Sequence, residues 1–403
     1  MISERSEDNL KILVLPHRYD FFVKGAVEAT AKYVESINVL VRHNYLAEIS
    51  KYFPIGRFLL NVGRYSKNNL LNLKGKPENV NVHLVSLLYF VTDGKNKSLG
   101  DKLAKKIEKI IKKKGIQFNL IHAHFTYPYG YAGVKLGEEF NVPVVITAHG
   151  FDIYDLPFRD EGWEKKIKWV LNQTSHVITV SQSNKKILVE KLGVNENKLS
   201  VSPNGFSSKL FYPLMDNANI RQRLNLPLDK KIILNVANLY PIKGHRHLIE
   251  AVKDLEKYRK DILCIIIGDG RLRRDLKVQI KKLNLENYVK LVGAKIHREI
   301  SLWMNAADLF VLPSLSEGNP TVMFESLGVG LPFVGTKVGG VPEIITSEDY
   351  GLLCEPADPK GLAEKILIAL DKDWDREKIL KYAKRFTWEN IAKETRGIYE
   401  SIA

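Results

Sequence analysis

Short runs of aliphatic and β-branched residues recur along this chain with almost no polar residue inside them, and stretches of helical periodicity separate them. A strand with one wet face alternates apolar and polar residues, whereas a strand covered by helices on both faces reads as a continuous apolar run. The runs here are of the second kind: "KILVL" (11–15), "INVLVR" (37–42), "VNVHLVSLL", "NLIHAH" (119–124), "VPVVITAH" (142–149) and "HVITV" (176–180). Between them lie helix-like stretches such as "DKLAKKIEKIIKKK" and "YAGVKLGEEF". A second series follows, with "KIILNVAN" (231–238), "ILCIIIGDG" (262–270), "YVKLVG" (288–293), "DLFVLPS" (308–314) and "PFVGTK" (332–337). The pattern predicts an α/β chain with two parallel, Rossmann-like sheets.

Two sheets also suit the length, because single cores stop growing near roughly 250–300 residues and this chain has 403. Proline, glycine and asparagine interrupt all periodicity in "SPNGFSSKLFYPLMDNANIRQRLNLPLDK", which places the domain break near residue 213. The expected domains are 1–213 and 214–385, with a tail at 386–403. That tail, within "KYAKRFTWENIAKETRGIYESI", reads as one amphipathic helix opened by Thr387 as N-cap, with Trp388 and Ile391 on its apolar face.

No apolar run approaches the ~20 residues of a membrane span. The first apolar run is too short for a signal-peptide core, so the expectation is a cytoplasmic protein. Cys264 and Cys354 show neither CxxC spacing nor a ligand cluster, which predicts neither disulfide nor zinc site. A formal charge of +15 favours anionic partners. Nucleic acid has only that electrostatic argument, without zinc-finger, RNP or helix-turn-helix signatures, and is not expected.

The unusual residues collect where the strand-like runs end. In a doubly wound sheet the ligand sits outside the carboxyl ends of the strands, so two such sheets facing a cleft would bind there. "IHAHFTYPYG", "TAHGFDIY", "NLYPIKGH", "GDGRLR" and "EGNPTVMFE" all occupy that position. In the last, Glu317 and Glu325 frame a helix entrance. Such an entrance offers free N–H groups and a positive dipole end to phosphate oxygens. Carboxylates repel phosphates but accept hydrogen bonds from hydroxyls. Gly318 allows close backbone approach.

With "SPNGF", "KGHRHLIEA", "PSLSEGNPTVMFESLGVGLPFVGTKVGGVPEII" and "FTWENIAKE" added, nearly the whole chain resembles the retaining glycosyltransferases of the GT-B fold, and within them family 4 (group 1). The resemblance implies two Rossmann-like domains with the C-terminal helix packing back on the first, acceptor-side domain, and a nucleotide-diphosphate sugar as donor in the second. It gives Glu317 to the donor sugar's hydroxyls and Glu325 to the ribose. The diphosphate would lie on the backbone of Gly318, Asn319, Pro320 and Thr321. Lys243 matches the family's phosphate-binding lysine, a compact cation able to stabilise a departing diphosphate where no metal does. No acidic metal pair stands out, so no metal and no cofactor are expected. His149 would hydrogen-bond the donor sugar and so join Lys243 and Glu317 in catalysis, and His124 would face the acceptor. Gly268, Asp269 and Gly293 fall where loops approach the base, and Gly339 and Gly340 would allow a further close approach to ligand.

Two departures stand out. Where relatives often carry an arginine five residues before the lysine, this chain has Asn238, for which Arg246 or Arg271 would have to compensate. Where they carry glycine near the start, it has Asp20 and Phe21. The reading is a retaining glycosyltransferase acting on a glycan, lipid-linked or small-molecule acceptor. A same-fold epimerase or phosphorylase, and a nucleotide-sugar-binding regulator without transfer, stay open. The basic helix "DKLAKKIEKIIKKK" and the stretch 44–76 mix cationic with apolar residues, as a solvated surface does and as a peripheral contact with the inner, anionic membrane face also does.

Overall fold

The structure, a computed structural model, describes residues 10–49, 66–89 and 93–403. They form two compact units. One runs up to Pro203 and resumes from Trp388 to Ala403; the other spans Asn204–Thr387.

The first unit carries β1 (Lys11–Leu15), β2 (Ser36–Asn44), β3 (Val80–Leu87), β4 (Leu120–His124), β5 (Val144–Ala148), β6 (His176–Thr179) and β7 (Leu199–Val201). They pair in parallel in the order β3-β2-β1-β4-β5-β6-β7. Alternate residues of β1 explain the unbroken apolar runs. Leu13 and Leu15 face one core with Leu103, Ile107 and Ile111 of the helix Leu99–Lys114, while Ile12 and Val14 face another with Val23, Val27 and Tyr399. Chain order reverses between β1 and β4, so the loops after these strands flank a switch point.

The second unit repeats the plan with β8 (Lys231–Val236), β9 (Ile262–Ile267), β10 (Val289–Gly293), β11 (Leu309–Leu312), β12 (Phe333–Thr336) and β13 (Gly351–Cys354). Their order is β10-β9-β8-β11-β12-β13, again parallel. Here the switch point lies between β8 and β11. The short edge strands β7 and β13 are not among the runs read from the sequence.

The breaks expected at 213 and 385 both fall inside the second unit. Residues 204–213 look like a linker in composition, yet Phe206 and Phe211 are 4% and 1% exposed and belong to that unit's core. The tail expected at 386–403 is one helix, Trp388–Ile402, and the helical residues before it are separate. Arg376–Ala383 and a turn at Lys384–Phe386 pack into the second unit through Ile379, Tyr382 and Phe386. Thr387 is extended (φ −68°, ψ 148°), and its hydroxyl donates backward to the Lys384 carbonyl at 3.3 Å. The helix Trp388–Ile402 then lies on the helix Phe21–Thr30 of the first unit. The Trp388 indole packs where a Cβ on Gly25 would come within 2.3 Å of it.

No helix among the described residues is long and apolar enough to cross a membrane. Of the stretch 44–76, residues 50–65 lie outside the described residues.

Candidate active site

In the second unit the loop after β8 makes a tight turn at Pro241–Lys243 and passes through Gly244 at φ 66°. A Cβ on Gly244 would sit 1.8 Å from the Pro313 carbonyl oxygen, so only glycine lets this turn lie against the end of β11. The Leu315 N–H donates to the Ile242 carbonyl at 2.8 Å and locks the two loops together. Lys243 Nζ is thereby delivered to Glu317 Oε1 at 2.6 Å, and the Ser314 hydroxyl donates to the same oxygen at 2.6 Å. The Glu317 side chain is only 7% exposed. The cation and the hydroxyl together satisfy a carboxylate oxygen that is largely shut off from water.

The loop carrying Glu317 is gripped from its far side. Gly339 has φ 51°, and a Cβ there would meet the Glu317 carbonyl oxygen at 1.8 Å; Gly340 N–H donates to the Gly318 carbonyl at 2.8 Å. What this glycine pair approaches closely is the backbone of the loop that carries Glu317. Beyond Pro320 the helix Thr321–Gly328 starts without a side-chain cap. Glu325, in its second turn, is 4% exposed, and its Oε1 lies 2.6 Å from His297 Nε2. His297 opens the helix that follows β10. Nothing in its sequence context pointed to it.

The "GDG" turn leans on the loop after β8. A Cβ on Gly268 would fall 1.9 Å from the Ala237 carbonyl oxygen, and Leu239 N–H donates to the Asp269 carbonyl at 3.0 Å. Gly293 ends β10 and accepts from Gly268 N–H at 3.0 Å. The side chains of Asn238, Asp269 and Arg271 are exposed. The Arg271 guanidinium lies 5.9 Å from the centre of the Tyr240 ring, and Arg246 pairs with Asp275 at 3.2 Å. Neither arginine is a partner of the Lys243–Glu317 pair.

The first unit gathers a different group. Its β4 and β5 run side by side with His124 in register with Thr147, which stacks three imidazoles. His122 and His124 have ring centres 4.7 Å apart, His124 and His149 5.3 Å. His124 Nδ1 is 3.1 Å from His149 Nε2. His122 is held from both sides, by the Tyr399 hydroxyl at 2.6 Å and the Thr147 hydroxyl at 2.7 Å. Burial holds His124 down to about 4. His122 and His149 lie well below the ordinary imidazole range, because of burial first and neighbouring imidazoles second. The stack is uncharged at neutral pH.

Beneath it Asp152, 2% exposed, accepts N–H bonds from Thr126 at 2.8 Å, Gly150 at 2.9 Å and His149 at 3.1 Å. One carboxylate thus pins the loops after β4 and β5 together. Burial pushes its carboxyl up, and these N–H bonds, with that of its own backbone, pull it back. Asp152, Thr147 and Tyr399 carried no signal that sequence reasoning used, although Asp152 stands within "HGFD".

Among the described residues no group of three or more His, Cys, Asp or Glu could hold a metal ion. Two buried carboxylates, a cation and a hydroxyl at the switch point of the second unit make a site suited to a polar ligand. Solved structures with the same architecture define the class. Sucrose-phosphate synthase from Thermosynechococcus elongatus matches with a TM-score of 0.77 at 22% identity, over 97% of this chain and 98% of that one. Anabaena HepE, in complex with UDP-glucose, matches with 0.70 at 22% identity, over 98% of this chain and 100% of that one. The likeness at this identity is one of fold, the GT-B fold. In sequence, the model for Glycosyl transferases group 1 matches residues 216–386 and that for Glycosyltransferase Family 4 matches residues 70–209. An uncharacterized glycosyltransferase of Methanocaldococcus jannaschii is 31% identical over 298 residues, 73% of this chain and 78% of that protein. The chain belongs to the group 1, family 4 glycosyltransferases.

Proposed function

We propose that this glycosyltransferase moves a sugar from a nucleoside diphosphate to an acceptor hydroxyl with retention of anomeric configuration. The observation that carries the reading is the Lys243–Glu317–Ser314 cluster at the switch point of the second unit. Donor diphosphate competes with Glu317 for the Lys243 ammonium. Once phosphate holds the lysine, the carboxylate is released to accept hydrogen bonds from the sugar. Backbone from Gly318 to Thr321 lies along the diphosphate, Glu325 takes the ribose hydroxyls, and the loops of Asn238, Gly268, Asp269, Arg271 and Gly293 border the nucleotide. His149 and His124, neutral, offer hydrogen bonds to the sugar and the acceptor.

The acceptor oxygen attacks the anomeric carbon on the face from which the diphosphate departs. The bond from that carbon to the phosphate oxygen breaks, and the acceptor's proton passes to the leaving phosphate. Lys243 stabilises the charge that develops there, without a metal in the step. UDP-glucose bound to HepE, a protein of the same fold, supports a nucleotide sugar as donor. The test is a screen of nucleoside diphosphate sugars by thermal shift, since a ligand at 100 times its Kd stabilises by about 2.7 kcal/mol, followed by NMR of the product. A product of inverted configuration, or no stabilisation by any such donor, would overturn the reading.

A specific observation also favours contact with an anionic membrane surface. On the helix Leu99–Lys114, Lys102, Lys105, Lys106, Lys109 and Lys113 are exposed and form one stripe opposite the buried Leu103, Ile107 and Ile111. None has an ion-pair partner among the described residues, whereas Lys112 is neutralised by Glu108 and Glu139. Lysines near an anionic bilayer contribute about 1 kcal/mol each. Cosedimentation with phosphatidylglycerol vesicles should fall with salt and with Lys→Gln changes along the stripe. Equal sedimentation with neutral phosphatidylcholine vesicles would remove the membrane role.

A further inference from the structure

We propose that Asn204 is a positioning residue for the donor-binding entrance, and that the segment it opens ties that entrance to the point where the chain passes between its units. Asn204 is the first residue of the second unit. Its backbone N–H donates to Asn319 Oδ1 at 2.8 Å, and its side-chain Nδ2 donates to the Asn319 carbonyl at 2.6 Å. Both asparagines are buried, at 9% and 6% exposure. The first bond also sets the amide of Asn319. Because its oxygen faces a backbone donor, its nitrogen must point the other way, where it is buried without a partner among the described residues.

Two further contacts extend the clasp along the helix Thr321–Gly328. The Phe206 ring lies on its last residue, where a Cβ on Gly328 would come 2.3 Å from Phe206 Cε2. Phe324, midway along, packs on Phe386 with ring centres 5.0 Å apart. Phe206 and Phe386 belong to the outgoing and returning segments of the chain. These run side by side, Phe206 N–H donating to the Phe386 carbonyl at 3.0 Å beside a bridge between Phe206 and Thr387. The helix that carries Glu325 is therefore held at its entry by Asn204, in its middle by Phe386 and at its end by Phe206. The first and last residues of the second unit, Asn204–Phe206 and Phe386, thus form its bed. A packed element with several independent contacts shifts as a body rather than bending. Displacement of Asn204–Phe206 or of Phe386 and occupancy of the donor entrance are thus energetically linked, each altering the other reciprocally.

The catalytic consequence rests on the transferase reading; the clasp itself does not. Asn204→Ala removes the side-chain donor and leaves the backbone bond, while Asn204→Asp sets a carboxylate against the Asn319 carbonyl. In the protein without ligand, amide exchange across 318–322 should quicken about fivefold to tenfold in Asn204→Ala, the scale of one net hydrogen bond, and more in Asn204→Asp. Donor KM should rise more than kcat falls. Asn319→Ala, which removes the Oδ1 acceptor of the other bond in the clasp, should quicken exchange across the same segment by a similar factor. Wild-type exchange rates in both Asn204 variants would overturn the proposal. If the wild-type chain turned over no nucleoside diphosphate sugar, the transferase reading would fail, and the exchange measurement would still decide the clasp.

Discussion

The two switch points are built from opposite electrostatics. In the second unit a lysine and two buried carboxylates meet at 2.6 Å contacts, Lys243 with Glu317 and Glu325 with His297. In the first, three stacked imidazoles are held neutral by burial over a carboxylate that bonds only to backbone N–H groups. A site that stabilises developing charge needs fixed charges in a dry place. A site that recognises hydroxyls needs donors and acceptors that do not repel a cation or anion. On this contrast, substitutions in the second unit should act on charge-dependent steps, and those in the first on recognition and on acid stability.

The largest expected effect is at Lys243. Lys243→Ala should lower turnover by roughly 100-fold or more, the scale of losing one electrostatic donor to a developing anion. Arg246→Ala should be nearly silent, since its partner is Asp275 on the surface. Near-normal transfer by Lys243→Ala would erase the distinction between the units.

Next come the paired acids, which sharpen the comparison within the second unit. Glu325→Gln should weaken the free nucleoside diphosphate and the full donor alike, by about 1.5–3 kcal/mol for a lost hydrogen bond to a charged group. Glu317→Gln should impair donor use without weakening the nucleoside diphosphate, because it frees Lys243 from a competing carboxylate. Calorimetry of the two ligands separates these outcomes; identical profiles for both variants would refute the division of labour.

The smallest effect concerns acid stability of the first unit. His124 has its folded value lowered from 6.5 to about 4, so on acidification the unfolded chain takes up the proton first. Its contribution is undiminished above about 6.5 and is lost progressively as pH falls toward about 4, with His122 and His149 acting in the same direction. Asp152, whose carboxyl is pushed up by burial, takes its proton first in the folded state and offsets part of the loss at the acid end. A His124→Gln variant should show a shallower fall in thermal midpoint across that window. An unchanged slope would mean that the stack is not the acid-sensitive element.

Much of this architecture is legible in the amino-acid sequence. The apolar runs of β1, β4, β5, β8, β9 and β11 stand out because helices cover both faces of their sheets. Glu317 and Glu325 stand out because eight residues of spacing and a Gly-Asn-Pro entrance are local facts. What stays hidden are the groups that hold these residues. His297 sits under Glu325, Asp152 under His149, and Asn204 beside Asn319, in contexts that look like ordinary loop and helix ends. The start of the last helix after Thr387 is legible, because a threonine before an amphipathic run is a local signal.

The sequence by itself determined the α/β class, the two successive sheets and the placing of unusual residues at strand ends, since period, apolar runs and turn formers act over a few residues. Tertiary structure alone decided the partnerships. Lys243 meets Glu317 across 74 positions of chain, Asn204 meets Asn319 across 115, and His122 meets Tyr399 across 277. The lateral order of the strands, with β8 beside β11 and β1 beside β4, brings distant loops to one switch point, and local pattern does not encode that order.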